Sequence, residues 1–200
     1  QYTISSGPRG DSLRVTIKRV LGENGAPDGQ VSNWLHEHAQ PGAVLDVSQP
    51  AGDVILDDSD APLVLVSAGI GITPVAAILE DLSRTQPDRT VRLFHADRAH
   101  ASHALYQSLR RQVLAMADAR AQNWYEEAAE QAPTLHPALP GFMDLNSVDL
   151  PANPTVFMCG PLPFMQAMRD TLLRRGVPAD RIHYEVFGPD LWAQSPASSL

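Results

Sequence analysis

The stretch from Leu63 to Leu79, LVLVSAGIGITPVAAIL, constrains the fold more than any other part of the chain. Leu63 to Val66 is a short apolar, partly β-branched run, the pattern of a strand buried on both faces. Gly69 and Gly71 supply a turn without side chains, and Pro74 suits a first helical position, where its missing N–H costs nothing. From Val75 onward, Ile78, Leu79 and Leu82 share one helical face. A strand, a Gly-x-Gly turn and a helix start together make an anion site, because free backbone N–H groups and the helix dipole converge on the turn. The default ligand is a dinucleotide or a phosphate. The pattern is GxGxxP rather than GxGxxG, so a turn whose glycines only let a helix pack on a strand stands as the alternative.

Two hundred residues with an apolar fraction of 44% and a charged fraction of 19% can bury one large core or two small ones. A net charge of −8, with no block of like charges, argues against a nucleic-acid partner, which wants a basic stripe. No apolar run reaches the length of a membrane span, and no signal-peptide pattern opens the chain, so no membrane partner is expected. Cys159 is the single cysteine, which excludes an internal disulfide, an iron–sulfur cluster and a Cys-rich zinc site, and fits a reducing cytoplasm. Gln1 opens the chain inside a strand-like segment without Met, which reads as a piece of something longer.

Residues 1–58 read as β structure with one short helix. Leu13, Val15 and Ile17 alternate with Arg14, Thr16 and Lys18 as in a half-buried antiparallel strand. Gly29 to His36 is a glycine, a candidate cap and an apolar helical turn. Val44–Ser48 and Val54–Leu56 read as strands about a turn at Pro50–Asp53. The acidic, proline-ended run from Asp57 to Pro62 marks a domain boundary. Strand–helix alternation follows, which predicts a parallel sheet with helices on both faces. Strands are expected at Leu63–Val66, Val91–Ala96, Gln122–Tyr125, Thr155–Met158 and Ile182–Phe187. Helices are expected to Arg84, over Ser102–Ala117 and to Arg175, with a loop at 126–141 and a loose tail from Trp192.

Five short motifs stand in a fixed order: Gln1-Tyr2-Thr3-Ile4-Ser5, Gly29-Gln30-Val31-Ser32-Asn33-Trp34-Leu35, Gly69-Ile70-Gly71-Ile72-Thr73-Pro74, Cys159-Gly160-Pro161 with Phe164-Met165, and Tyr184-Glu185-Val186-Phe187-Gly188-Pro189. This order closely resembles the ferredoxin–NADP reductase superfamily. The wording SNWLH, the segment Gly141–Leu145 and the ending HYEVFGP are similar to the reductase portion of flavohaemoglobins, the nitric oxide dioxygenases. The resemblance runs from Gln1 to Pro189. It implies an α/β chain in which residues 1–58 are the C-terminal part of an antiparallel β-barrel FAD domain, its N-terminal strands lacking. Residues 62–194 would be a doubly wound parallel-sheet NAD(P)-binding domain, and 195–200 a tail.

The resemblance also implies roles. Tyr2 packs on the flavin and Thr3, replacing the family's Ser, hydrogen-bonds near it, while the arginine that pairs with the FAD pyrophosphate would precede Gln1. Gly29, Gln30, Val31 and Ser32 form a second phosphate loop, for which a Ser or Asn helix cap is the plainer reading. Gly69, Ile70, Gly71, Ile72, Thr73 and Pro74 hold the nicotinamide nucleotide, with the Thr73 hydroxyl toward the nicotinamide. Cys159, with Gly160 and Pro161, stands beside that ring as an orienting contact, no adjacent base making it a nucleophile; a small buried apolar cysteine is the alternative. Glu185 lies near the flavin and influences its potential, and Phe187, flanked by Val186, Gly188 and Pro189, covers the isoalloxazine and yields to nicotinamide. Thr73, Cys159 and Glu185 are thus the expected catalytic residues.

The implied activity is hydride transfer from NADH or NADPH to FAD, then single electrons to a haem in an upstream globin domain, which together turn nitric oxide into nitrate. A barrel opened in its middle leaves unpaired edges, so weak FAD retention by these residues alone is expected. Rival readings are a reductase feeding an iron–sulfur or oxygenase partner, a redox-sensing nucleotide-binding module, and a structural α/β domain. The absence of an arginine cluster for a 2′-phosphate leans toward NADH. His36 and His38, two apart on a helix, are no metal pair. His95, His100 and His103 read as solvated or capping histidines that could instead line the nucleotide site, and Arg98 as a residue within reach of a nucleotide phosphate.

Overall fold

A computed structural model describes residues 1–8, 11–22, 25–52, 55–127 and 138–185. From residue 63 onward the expected alternation is present. Strand β1 (Leu63–Ala68) leads through a single 3₁₀ turn, Gly69–Gly71, into helix α2 (Ile72–Thr85), with α1 (Gln30–His38) preceding them. Then come β2 (Val91–Asp97), α3 (Tyr106–Ala115), β3 (Ala119–Tyr125), the two-residue β4 (Leu139–Pro140), β5 (Thr155–Cys159), α4 (Leu162–Arg174) and β6 (Ile182–Tyr184). The strands form one sheet in the order β4-β3-β2-β1-β5-β6, every pair parallel.

The period of two in β1 explains the layers. Leu63 and Leu65 face one side, where they meet Val75, Ile78, Leu79 and Leu82 of α2 and Leu109 and Val113 of α3. Val64 and Val66 face the other, with Phe94, Trp124, Met158 and the α4 residues Met165, Met168 and Leu172. Both faces are covered, which is why β1 is apolar at successive positions rather than at alternate ones. Pro74 sits third in α2, not first, because the helix continues straight out of the 3₁₀ turn and already begins at Ile72. Its missing N–H is still harmless there, since the first four helical N–H groups have no partner within the helix.

Several boundaries move. The expected helix from Ser102 begins at Tyr106, because His100–Ser102 forms a separate 3₁₀ turn and Leu105 stands at φ +60° between them. β3 begins at Ala119, and β4 adds an outer strand inside what reads as a loop from sequence. β6 spans Ile182–Tyr184, and the remainder of that expected strand past Glu185 lies outside the described residues, as does the tail.

The first 58 residues depart further. Helix α1 forms as expected, but the alternation at Leu13–Ile17 yields only one antiparallel bridge, Ile4 to Val15. Val44–Ser48 is irregular, with Val44 92% exposed. Alternation by itself supplies no ladder partner, and among the described residues 44–48 take part in no strand pairing. Of the Pro50–Leu56 hairpin, Asp53 and Val54 lie outside the described residues.

Polar contacts tie this segment to the sheet. Arg14 donates to Glu80 Oε2 of α2 at 2.8 Å and also to the Ser5 carbonyl, while Ser5, fully buried, accepts and donates across to Arg14 and Thr16. At the boundary, the buried Arg89 donates to the Ala61 carbonyl at 2.8 Å, to Gln86 Oε1 and to Ser59 Oγ. Arg89→Met should therefore cost about 2–3 kcal/mol by stranding the Ala61 carbonyl. The checking measurement is the urea midpoint, expected to fall with an unchanged m-value.

Candidate functional site

Strand order sets where a ligand can sit. From β1 the chain moves to β2, β3 and β4 on one side, then returns to place β5 and β6 on the other, so the direction of winding reverses between β1 and β5. In open α/β sheets the crevice beyond the strand C-termini at that reversal is the ligand site. The Gly69–Gly71 turn closes directly on it. A Cβ on Gly71 would come within 2.2 Å of the Cys159 carbonyl oxygen, so glycine is required for β1's turn to lie against the end of β5. Gly69 has φ +53°, and a Cβ there would meet no atom within 4 Å: its backbone faces open space. Thr73 Oγ1 donates to the Ile70 carbonyl at 3.0 Å and so braces the turn. An N-terminal helix turn with an open glycine before it has the form of a pyrophosphate cradle.

Beside the cradle, Pro74, Val75, Ile78, Phe157, Cys159 and Glu185 line a slot of about 10 Å³, the room of one water. A pyridine ring enters only if part of that wall is displaced. Cys159 is 2% exposed. Burial, reinforced by the Glu185 carboxylate, pushes its thiol up to about 12. It is therefore a protonated, uncharged wall and not a nucleophile. Glu185 Oε1 lies 3.5 Å from the position a Cβ on Gly52 would take, so the slot's edge meets the first segment of the chain. Gly160 packs on Phe164 and Ala68, and Pro161 caps α4.

Among the first-segment residues, Gly29 is the N-cap of α1 and Gln30, Val31 and Ser32 are its first turn, whose N–H groups find no partner inside the helix. Val31 is 60% exposed, so this helix start opens outward. The Ser32 hydroxyl is engaged: it donates to the Gly29 carbonyl at 3.1 Å and accepts from the Val20 N–H at 3.2 Å. Asn33 donates to both the Val20 and Gly29 carbonyls. Tyr2 is exposed and Thr3 half-buried. Val186, Phe187, Gly188 and Pro189 lie outside the described residues. His36 Nε2 and His38 Nδ1 are each hydrogen-bonded to a backbone carbonyl, of Ile17 and Trp34.

The largest surprise is at the ends of β1, β2 and β3. Neither His95, fully buried, nor His103, 7% exposed, is solvated. Ser67 Oγ is 2.9 Å from His95 Nδ1, the His95 and His103 rings tilt against each other with centroids 4.0 Å apart, and His103 Nδ1 lies 2.8 Å from the Tyr125 hydroxyl. Asp97 Oδ2 is 3.6 Å from His95 Nε2, and its Oδ1 accepts from the Ser102 hydroxyl and the Arg98 N–H. Burial lowers the pKa of His95 and, with the neighbouring His95, takes His103 down to about 2. Burial alone would raise Asp97; the His95 ring, the Ser102 hydroxyl and the Arg98 N–H outweigh it and hold the carboxyl at about 2. Arg98 itself is exposed. The signal available in sequence was three histidines within nine residues, with His95 and Asp97 on one strand face, but nothing in it told of Ser67 or Tyr125.

A doubly wound parallel sheet with a glycine cradle at its reversal point defines a nucleotide-binding oxidoreductase domain. Residues 65–170 match the family described as the oxidoreductase NAD-binding domain, and the chain belongs to it. It is 40% identical over 193 residues to the flavohemoprotein of Chromobacterium violaceum, covering 94% of this chain and 48% of that protein. The chain spans about half the length of the curated relatives it matches. Among solved structures, the flavohem-like FAD/NAD-binding domain of nitric oxide dioxygenase from Vibrio cholerae aligns with TM-score 0.79 and 33% identity, over 94% of this chain and 77% of that one. Flavohemoglobin from Malassezia yamatoensis, with bound FAD and heme, aligns with TM-score 0.74 and 32% identity, over 94% and 46%.

Because His95 and His103 are held neutral when folded, the unfolded chain takes up protons first as the pH falls below about 6.5. Stability should then drop by up to about 1.4 kcal/mol per histidine per pH unit. Asp97, held low, adds a loss in the same direction only below about pH 4. Urea unfolding at pH 7.5 and 5.5 checks this; the midpoint should fall on acidification, and His103→Phe should remove about half of the fall.

Proposed function

We infer that the chain is the NAD(P)H- and FAD-binding reductase module of a flavohaemoglobin-type nitric oxide dioxygenase, delivering electrons from NAD(P)H through FAD to a haem in a globin domain. The observation that carries it is the Gly71–Cys159 contact, which sets an open-backed pyrophosphate cradle beside a buried slot at the sheet's reversal point. The residues fit the two cofactors. Gly69 to Pro74 would hold the NAD(P)H pyrophosphate, with Thr73 keeping the turn in shape, and Pro74, Cys159 and Glu185 would bound the nicotinamide. The outward-facing start of α1, Gly29 to Ser32, would hold the FAD pyrophosphate, with Tyr2 and Thr3 against the flavin and Val186 to Pro189, above all Phe187, across its other side.

When bound, FAD takes two electrons as a hydride and passes them on singly. The protein's share is position, exclusion of water and charge. The protonated Cys159 thiol gives the nicotinamide a neutral, polarizable neighbour and excludes water from it. Glu185, at the edge of the slot, would place a carboxylate near the flavin, where it would oppose added negative charge and so tune the potential. Relatives named as flavohemoproteins favour haem as the acceptor over an iron–sulfur or oxygenase partner. A cytoplasmic setting suits the single buried cysteine.

The test is steady-state NADH and NADPH oxidation with ferricyanide as acceptor and FAD in saturating amount, beside direct titration calorimetry with each nucleotide. Binding and turnover with one or both nucleotides are expected, and Glu185→Gln should lower turnover by roughly tenfold. A chain that binds neither nucleotide removes the reading.

A further inference from the structure

We propose that Ser67, His95, His103 and Tyr125 are positioning residues for the NAD(P)H site: they set the loop between β2 and α3 against the strand ends, and that loop borders the half of the nucleotide that lies away from the nicotinamide. The proposal rests on the NAD(P)H reading above and assigns a role to residues outside the cradle and slot.

One row of the sheet carries the argument. Ser67 is the register partner of Cys159 on β5 and of His95 on β2, and His95 is that of Asn123 on β3. The row therefore runs from the nicotinamide slot, beneath the glycine turn, to the far side of the crevice. With the nicotinamide on the β5 side and the pyrophosphate at Gly69 to Pro74, the rest of an extended dinucleotide has only the β2 side to occupy. There the loop from Arg98 to Leu105 rises from the end of β2. Four contacts hold it down: Ser102 Oγ on Asp97 Oδ1 at 2.7 Å, the His103 ring over His95, His103 Nδ1 on the Tyr125 hydroxyl at 2.8 Å, and His100 edge-on to Tyr106 and Tyr125.

Two further observations mark this as more than ordinary packing. Leu105 is held at φ +60°, a conformation that a bulky side chain keeps only where its surroundings over-determine it. The Nε2 atoms of His95, His100 and His103 are buried with no hydrogen-bond partner among the described residues. Apolar side chains of the same shape would avoid that desolvation loss, so a network of this kind is kept for the single geometry it enforces. Metal ligation does not explain it: among the described residues no group of three His, Cys, Asp or Glu is arranged to hold an ion.

The experiment is titration calorimetry on the 200-residue chain with NADH, or NADPH should the wild type prefer it, and with the matching ADP-ribose, which lacks nicotinamide. The variants are Tyr125→Phe and Ser67→Ala, each lacking one oxygen at opposite ends of the network; should one fail to fold by circular dichroism, the other carries the test. The expected result is a Kd raised at least fivefold, by the same factor for both ligands. A merely structural role lowers the unfolding midpoint and leaves both Kd values within twofold of wild type, which overturns the proposal. A loss for the dinucleotide without a loss for ADP-ribose also overturns it, since the effect then lies at the nicotinamide. A wild type that binds neither ligand fails the NAD(P)H reading itself, an outcome distinct from unaltered variants.

Discussion

The close approach of the Gly71 backbone to the Cys159 carbonyl is the constraint on which the rest of the site depends. It can exist only because position 71 has no side chain, and only because β1 and β5 are direct neighbours in the sheet. Given that contact, the turn after β1 lies directly against the turn after β5, with the slot beside it. Helix α2 then leaves the cradle with its N-terminus toward the slot, and α4 leaves from Pro161 on the opposite face of the sheet. Two helix starts and one slot are thus fixed by a single glycine and a single strand order.

The electrostatics follow from how little formal charge the crevice carries. On the reading proposed above, a chain of net charge −8 would hold a dianionic pyrophosphate through oriented backbone groups, which the turn offers without drawing on a lysine or arginine. The groups that could carry charge nearby are held neutral or held charged by burial and by specific partners. Cys159 stays a thiol, His95 and His103 stay uncharged imidazoles, and Asp97 stays a carboxylate beside the His95 ring because the Ser102 hydroxyl and the Arg98 N–H donate to it. Near neutral pH these four groups do not change their charge.

The sheet was legible because its signals are local. LVLVS before a glycine turn can hardly be other than a central strand, and the same holds for TVFMC before Gly160. The 3.6-residue period of Ile78, Leu79 and Leu82 needed no tertiary knowledge. What was not legible depends on contacts between distant residues. Nothing in the sequence singles out Arg89, yet it is buried because the Ala61 carbonyl and Ser59 come to it from the boundary segment. His95 reads as a strand-end histidine until Ser67, 28 residues earlier, is known to be its register partner. In the first segment the alternation of Leu13, Val15 and Ile17 misled: Leu13 is 63% and Val15 49% exposed, because a face without a neighbouring strand makes no sheet and buries nothing.

The joint between the two parts of the chain has a design of its own. The buried core of the sheet takes one residue from the boundary, Leu56, and otherwise the first segment is tied on by polar contacts. Arg14 donates to Glu80 near the middle of α2, and Arg89 clasps the boundary at residues 59–61. Directional bonds of this sort fix angle and distance more narrowly than apolar contact of equal area, at the cost of less stabilisation. On the reading proposed above, with one cofactor on each part, that accuracy would matter more than strength, because the rate of transfer between two rings depends on their separation and alignment. One such tie lies at the middle of α2 and the other before the start of β1, at the end of that strand away from the slot.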